Sequence, residues 1–269
     1  MNYQMLVLDL DGTLTNSRKE ITPATKQGLM EIQEAGKILV LASGRPINGV
    51  APLAAQLHME RYGGYMLSFN GARITKCSTG ELIYNRTIPP ETIRPIWEYF
   101  REFPGLDVIS YTDTCILSGI CPNQYVEIES GINKMDVTSV DDFPSALDFP
   151  VNKLLGAGDP ELLEKLIPIL KEKYHGLLSI YRSEPYFLEI MPQHVDKALS
   201  LQKLLSSMGL TAEEMICCGD GFNDLTMIEY AGLGVAMGNA QPLIKDSADY
   251  ITASNDEDGI LQVINHFMR

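Results

Sequence analysis

The chain has little that would tie it to a membrane, a nucleic acid or an oxidising compartment. No run approaches the roughly 20 apolar residues that cross a bilayer. The first residues also lack the basic region and long apolar stretch of a secretory signal. Basic residues are scarce: 21 Lys and Arg stand against 35 Asp and Glu, a net charge of −14. That balance argues against a general binder of nucleic acid or anionic lipid, whose electrostatic footprint is basic. It leaves room for a small anionic substrate, because a Mg2+ ion and a lysine can reverse the field locally. The five cysteines, Cys77, Cys115, Cys121, Cys217 and Cys218, are an odd number and form no Cys-x-x-Cys pair. Cys217-Cys218 lies in an apolar run and reads as packing. A reducing, cytoplasmic setting is expected. The four histidines, His58, His175, His194 and His266, fit no catalytic pattern, and the sequence contains no internal repeat or low-complexity linker.

What is there is ordinary globular material, 45% hydrophobic and 21% charged, enough for one large domain or two of ordinary size. The first organised stretch is the apolar run Met5-Leu6-Val7-Leu8, a predicted buried strand, followed by Asp9-Leu10-Asp11-Gly12-Thr13. Unpaired charge is costly to bury, so both carboxylates should emerge at the strand's end, where a metal or donor network can hold them. Open α/β sheets bind ligands at that end of their strands. A plain Asp-Gly turn is the alternative. Thr22-Pro23 then supplies an N-cap and a first-turn proline for a helix carrying Leu29, Ile32 and Ala35 at helical spacing, with Gly36 as its stop. Residues 37–42 form a second apolar strand ending at Ser43-Gly44-Arg45-Pro46. A right-handed crossover between the two strands brings Asp9 and Ser43 to one sheet edge.

The texture changes near residue 73. A hairpin over 73–84, a helix from about 90 to 103, strands near 107–118, 152–155, 177–182 and 187–191, and a helix over 160–174 do not alternate strictly. The last helix should face inward with Leu162, Leu166 and Ile169. Trp97 is expected in the core of this part, and residues 119–150 carry no readable pattern. Such a mixture suggests a separate unit inserted into the first domain. After Pro192 strict alternation returns, with a helix over about 195–208 and a strand at 215–218 that runs into Gly219-Asp220-Gly221-Phe222-Asn223-Asp224. The predicted fold is α/β: a doubly wound, mostly parallel Rossmann-like core sheet from 1–84 and 189–269, with an α+β cap domain at 85–188.

Asp9 and Asp11, then Ser43, then Lys197, then Asp220 and Asp224 stand in the order of the four motifs of the haloacid dehalogenase (HAD) superfamily, which the whole chain resembles. The likeness is greatest to the Cof-type branch of sugar phosphatases with a C2-type cap. Asn70-Gly71-Ala72, Met237-Gly238-Asn239-Ala240 and Ser254-Asn255-Asp256-Glu257-Asp258-Gly259 also look like that branch. One departure is Val195-Asp196-Lys197-Ala198, where the branch usually has glycine after the lysine. The resemblance implies a Mg2+-dependent phosphatase that hydrolyses small phosphorylated metabolites through an aspartyl-phosphate. Sugar phosphates come first and phosphorylated cofactor precursors next. Asp9 would be the nucleophile, and Asp11 the general acid and then the general base. Asp9, the backbone carbonyl of Asp11, and Asp220 would hold the metal, with Asp224 as a further ligand or a support behind them. Ser43, the amides of Leu10 and Gly44, Lys197 and Asn223 would contact the phosphate. A cap closing over the site would exclude water and favour small substrates over phosphoproteins.

Each residue has a plainer alternative. Ser43 could be a turn hydroxyl, Lys197 a solvated helix lysine, and Asp224 an acid stabilised by a helix N-terminus. Arg45 could touch substrate or pair with an acid between core and cap. Asn70 and Asn239 could belong to turns or to the site. The rival functions are a phosphomutase and a non-catalytic sugar-phosphate sensor; a dehalogenase would need neither Asp11 nor a metal. The oligomeric state leaves no signature in the sequence.

Overall fold

The computed structural model describes residues 3–269. Its strands are β1 (Met5–Leu8), β2 (Ile38–Ala42), β3 (Tyr65–Ser68), β4 (Arg73–Lys76), β5 (Leu82–Asn85), β6 (Asp107–Tyr111), β7 (Cys115–Ser118), β8 (Asp136–Ser139), β9 (Leu154–Ala157), β10 (Leu178–Glu184), β11 (Phe187–Pro192), β12 (Met215–Gly219), β13 (Leu233–Ala236) and β14 (Tyr250–Ile251). They make two sheets, one ordered β14-β13-β12-β1-β2-β3-β4-β5 and the other β10-β11-β9-β6-β7-β8. The chain divides into two compact units: the chain up to Tyr84 together with Asp196–Arg269, and Asn85–Val195.

In the first unit the sheet is parallel from β14 to β3 and turns antiparallel at β4. The chain steps outward from β1 through β2 to β3, then returns to the other side of β1 at β12. This reversal is the topological switch point where doubly wound sheets bind ligands. Leu8 is level with both Leu41 and Cys218, so β1, β2 and β12 end together. Side chains alternate between two cores, as a pleated strand requires. Leu6 and Leu8 pack with Leu29, Val50 and Val263 of the helices Pro23–Glu34, Ile47–Gln56 and Gly259–Phe267. Met5 and Val7 pack with Leu201, Leu204 and Met227 of the helices Lys197–Met208 and Leu225–Tyr230. Cys217 and Cys218 fall on opposite faces and are fully buried, as packing cysteines should be.

In the second unit Val108, Leu154, Leu188 and Ile190 pack against the helices Pro90–Arg101 and Pro160–Lys173. Trp97 is buried there and donates Nε1 to Gly119 O at 2.6 Å. Two sequence expectations are corrected. The helix Pro160–Lys173 faces inward with Leu163, Leu166 and Leu170, while Ile169 is 49% exposed, so its apolar stripe lies about one residue further round. Strand β11 pairs with both β9 and β10, which carries residues 189–192 into the second unit and puts the boundary at 195/196 rather than 188/189. The unreadable stretch contains the helix Gln124–Asn133, β8 and the short helix Phe143–Ala146. That helix hides from periodicity because two of its three buried residues, Glu129 and Asn133, are polar. No helix among the described residues is long and apolar enough to cross a membrane.

Candidate active site

The site grows from the level ends of β1, β2 and β12. Asp9 follows β1 and donates its amide to Cys218 O at 3.1 Å. The chain then coils tightly: Leu14 N reaches Asp9 O at 3.2 Å, and Thr15 gives both its amide and its hydroxyl to the carbonyl of buried Leu10, each at 2.9 Å. Gly12 sits in this coil at φ +84, and a Cβ there would collide with the Asp220 carboxylate, so only glycine fits. Thr13 Oγ1 donates to Asp220 Oδ1 at 2.9 Å.

Lys197 begins its helix, whose N-cap Asp196 accepts from Leu199 N at 2.8 Å. It is fully buried, not solvated. Its ammonium donates to Asp9 Oδ1 at 2.6 Å, Asp224 Oδ1 at 2.6 Å and Ala42 O at 2.9 Å, which uses all three donors. Asp224 is buried too, and its other oxygen accepts the amides of Asp220 and Gly221, each at 3.0 Å. Lys197 and Asp224 therefore brace each other between three strand ends.

Asp9, Asp220 and Asp224 each offer a carboxylate oxygen within 4.8 Å of the others. Three carboxyl groups face one ammonium, so their full ionisation would leave two negative charges in excess. Burial, then the Asp224 charge, push the Asp9 carboxyl up against the pull of Lys197. Burial likewise carries Asp220 up to about 6, although the Thr13 hydroxyl favours its charged form. Burial alone would lower the Lys197 ammonium; Asp224 and Asp9 outweigh it and hold it above the ordinary lysine range. An all-oxygen donor set with surplus negative charge fits a hard divalent cation such as Mg2+. Both Asp224 oxygens are already engaged, so Asp9 and Asp220 are the better side-chain ligands.

The Asp11 carboxylate stands outside that group. Arg45 grips it as a fork, Nε to Oδ2 and Nη2 to Oδ1, both at 2.7 Å, and Lys19 Nζ adds a bond to Oδ1 at 2.7 Å. Burial would raise this carboxyl, but the hydrogen bonds from Arg45 and Lys19 outweigh burial and hold it below the ordinary range. Arg45 thus pairs with an acid of its own unit, which corrects the expected pairing between core and cap. Lys19 gave no sequence signal, being one lysine in a polar stretch.

Ser43 is buried and its Oγ accepts the Arg45 amide at 3.2 Å, so it shapes the turn at the site's edge. Its carbonyl accepts Asn70 N at 2.9 Å, and Asn70 Oδ1 accepts Asn223 Nδ2 at 3.1 Å. A Cβ on Gly44 would come within 3.0 Å of that same Asn70 oxygen. Ser43, Gly44, Asn70 and Asn223 are therefore neighbours. Asn239 lies further out and donates Nδ2 to Gly12 O at 2.8 Å.

The sequence profile of the haloacid dehalogenase-like hydrolases matches residues 6–264. The chain belongs to this family. A solved haloacid dehalogenase-like hydrolase from Bacteroides thetaiotaomicron is 45% identical to it, with a TM-score of 0.95 over 98% of this chain and 99% of that one. A solved sugar phosphatase of HAD subclass IIB shares 26% identity at a TM-score of 0.80, over 98% of each chain. A Bacillus subtilis 5-amino-6-(5-phospho-D-ribitylamino)uracil phosphatase is 28% identical over 268 residues, 100% of this chain and 97% of the relative. This HAD-like hydrolase is of the Cof type that its motifs resemble, and the likeness to phosphatases spans both units.

Proposed function

We propose that this phosphatase hydrolyses phosphate monoesters of small polyhydroxylated metabolites, sugar phosphates first, with Asp9 as the nucleophile. The observation that carries the reading is the buried Lys197 ammonium, held at 2.6 Å from both Asp9 and Asp224 at the switch point of the sheet. A nucleophilic carboxylate must approach an anion, and a fixed, desolvated ammonium beside it offsets the charge that builds up. The names of the sugar phosphatase and the ribitylamino-uracil phosphatase support a polyol leaving group.

In the first step an Asp9 oxygen attacks phosphorus and the ester P–O bond breaks; Asp11, which must first take up a proton against the hold of Arg45 and Lys19, gives it to the departing alkoxide. In the second, Asp11 takes a proton from water, the water oxygen attacks phosphorus, the P–O bond to Asp9 breaks, and inorganic phosphate leaves with the Asp9 carboxylate restored. Asp9 and Asp220, with the backbone carbonyl of Asp11, would hold Mg2+, which when bound offsets the negative charge that Asp9 and the phosphate bring together. Asp224 supports this arrangement from behind, fastening Lys197 with one oxygen and the 220–221 backbone with the other. Ser43, the amides of Leu10 and Gly44, and Asn223 contact the phosphoryl oxygens.

A screen of phosphorylated metabolites read by phosphate release tests the proposal, with hydrolysis of sugar phosphates expected. A sugar phosphate that is isomerised without phosphate release would make the protein a mutase. Binding without turnover across the screen would make it a sensor.

A further inference from the structure

The turn that follows β3 is strained, and it is held from three sides. Phe69 and Asn70 both lie in the left-handed region, at φ +52 and +53, and Gly71 follows at φ +103. A buried aromatic residue is an unusual occupant of that region. Phe69 N donates to Arg45 O at 3.0 Å and Asn70 N to Ser43 O at 2.9 Å, which fastens the turn to the loop after β2. Ser200 donates its hydroxyl to Gly71 O at 2.5 Å, and a Cβ on Gly71 would collide with that hydroxyl and with the Asp196 carbonyl. The third tie is the Asn70 side chain, whose Oδ1 accepts Asn223 Nδ2 at 3.1 Å from the turn after β12. Backbone outliers persist where their surroundings over-determine them, and they cluster at functional sites.

The first two ties run through the backbone of the turn, and any residue that tolerates the left-handed region could keep them. The third needs this side chain. Asn70 lies over Gly44, where a Cβ would come within 3.0 Å of its Oδ1 and 3.3 Å of its Nδ2, so glycine at 44 is what lets the carboxamide reach Asn223. An amide oxygen accepts only from a donor, so Asn70 turns the nitrogen edge of the Asn223 carboxamide towards itself. Asn223 is exposed, and among the described residues its side chain has this one hydrogen bond. One of its two N–H groups is thereby held and the other remains. We propose that Asn70 is a positioning residue for the phosphoryl group: it ties the turn that carries Asn223 to the loop that carries Ser43 and Gly44, so that the donors of both are spaced before the anion arrives. Donors fixed in advance need no reorganisation when charge develops on the phosphoryl oxygens. The inference rests on the reading of Gly44 and Asn223 as phosphate contacts.

The test is a double-mutant cycle of Asn70→Gly and Asn223→Ala, read as kcat/KM on p-nitrophenyl phosphate and on the best metabolite of the screen. Glycine enters the left-handed region freely, so Asn70→Gly keeps the turn and removes the tie. It should lose about tenfold in kcat/KM, by the same factor on both substrates, because the phosphoryl group is what they share. Asn223→Ala should lose about 10²-fold, the low end for a donor placed at developing charge. Added to Asn223→Ala, Asn70→Gly should cost less than about twofold more. Unchanged kcat/KM in Asn70→Gly overturns the proposal and leaves Asn70 a turn residue. Losses that multiply also overturn it; a turn that merely loosens would give that result, since it would harm both backgrounds alike. A loss confined to one substrate would assign Asn70 to the leaving group and overturn the proposal too. If Asn223→Ala leaves kcat/KM unchanged, the phosphate reading of Asn223 fails and takes this one with it.

Discussion

Lys197 and Lys153 are the two buried lysines among the described residues, one in each unit, and they keep different company. Lys153 meets Glu189 at 2.8 Å and lies 5.4 Å from the centre of the Tyr111 ring. Glu189 also accepts from Ser183, while nearby Glu129 accepts from Tyr111 at 2.6 Å and from Asn133 at 2.9 Å. There Lys153 pairs with Glu189, and Glu129 is held by the neutral donors Tyr111 and Asn133. Lys197 faces three carboxylates with surplus charge, gathered from segments that meet only at the strand ends. A buried pair closed on itself specifies a core. A buried cation that leaves negative charge unbalanced at a switch point is poised for a metal and an anionic substrate.

The sharpest way to break this contrast is to neutralise one acid in each unit. Asp9→Asn should cost at least about 10³-fold in turnover of p-nitrophenyl phosphate, since it removes the nucleophile. Its thermal midpoint should hold or rise, because an acid that burial disfavours in its charged form is gone. Glu189→Gln should do the reverse, keeping turnover and lowering the midpoint. Activity surviving in pure Asp9→Asn protein would sink the nucleophile assignment.

Metal should act on one unit only. EDTA should bring activity to background and Mg2+ should restore it. Mg2+ at a hundred times its dissociation constant should also stabilise the fold by about 2.7 kcal/mol. Asp220→Asn should abolish that shift, whereas Glu189→Gln should retain it. Indifference of activity to EDTA would overturn the metal reading.

The lysines themselves give the next effect. Lys153→Met should lose about 3–5 kcal/mol in denaturant unfolding, because it strands Glu189 in the interior. Adding Glu189→Leu should recover most of that loss. Lys197→Met should lose about 10²–10³-fold in kcat, and no second substitution at Asp224 should recover it. Recovery of turnover in such a double variant would mean that Lys197 is structural, like Lys153.

The smallest effect is in thiol chemistry. Burial, then Glu60, push Cys77 of the first unit up to about 12, whereas Cys121 of the second unit is exposed. Ellman's reagent at pH 8 should therefore show one fast thiol, and Cys121→Ser should remove that phase. A fast phase that survives would place the reactive thiol elsewhere.

Much of the fold was legible before any coordinates. Asp9 sits at a strand end because Met5–Leu8 is a short apolar run that stops at a charge, and a buried strand can end in only a few ways. Thr22-Pro23 announced a helix, and Thr22 does accept Thr25 N at 3.2 Å. The helix Gln124–Asn133 was not legible, because its inward side includes Glu129 and Asn133, which bond to Tyr111 and to each other. The boundary at 195/196 was also hidden, since β11 reads as an ordinary strand and only its pairing assigns it to a sheet.

The sequence by itself determined the strand ends, the order of the acidic motifs and the insertion of a second unit. These follow from local rules, the period of a strand or helix and the chemistry of a turn, which act over a few residues. Only the tertiary structure decided what each charged side chain touches: that Lys197 bridges Asp9 and Asp224, and that Arg45 and Lys19 share Asp11. Lys197 and Asp9 are 188 positions apart. Charge pairing has no period along the chain, so its partners exist only once the sheet register has brought the strand ends together.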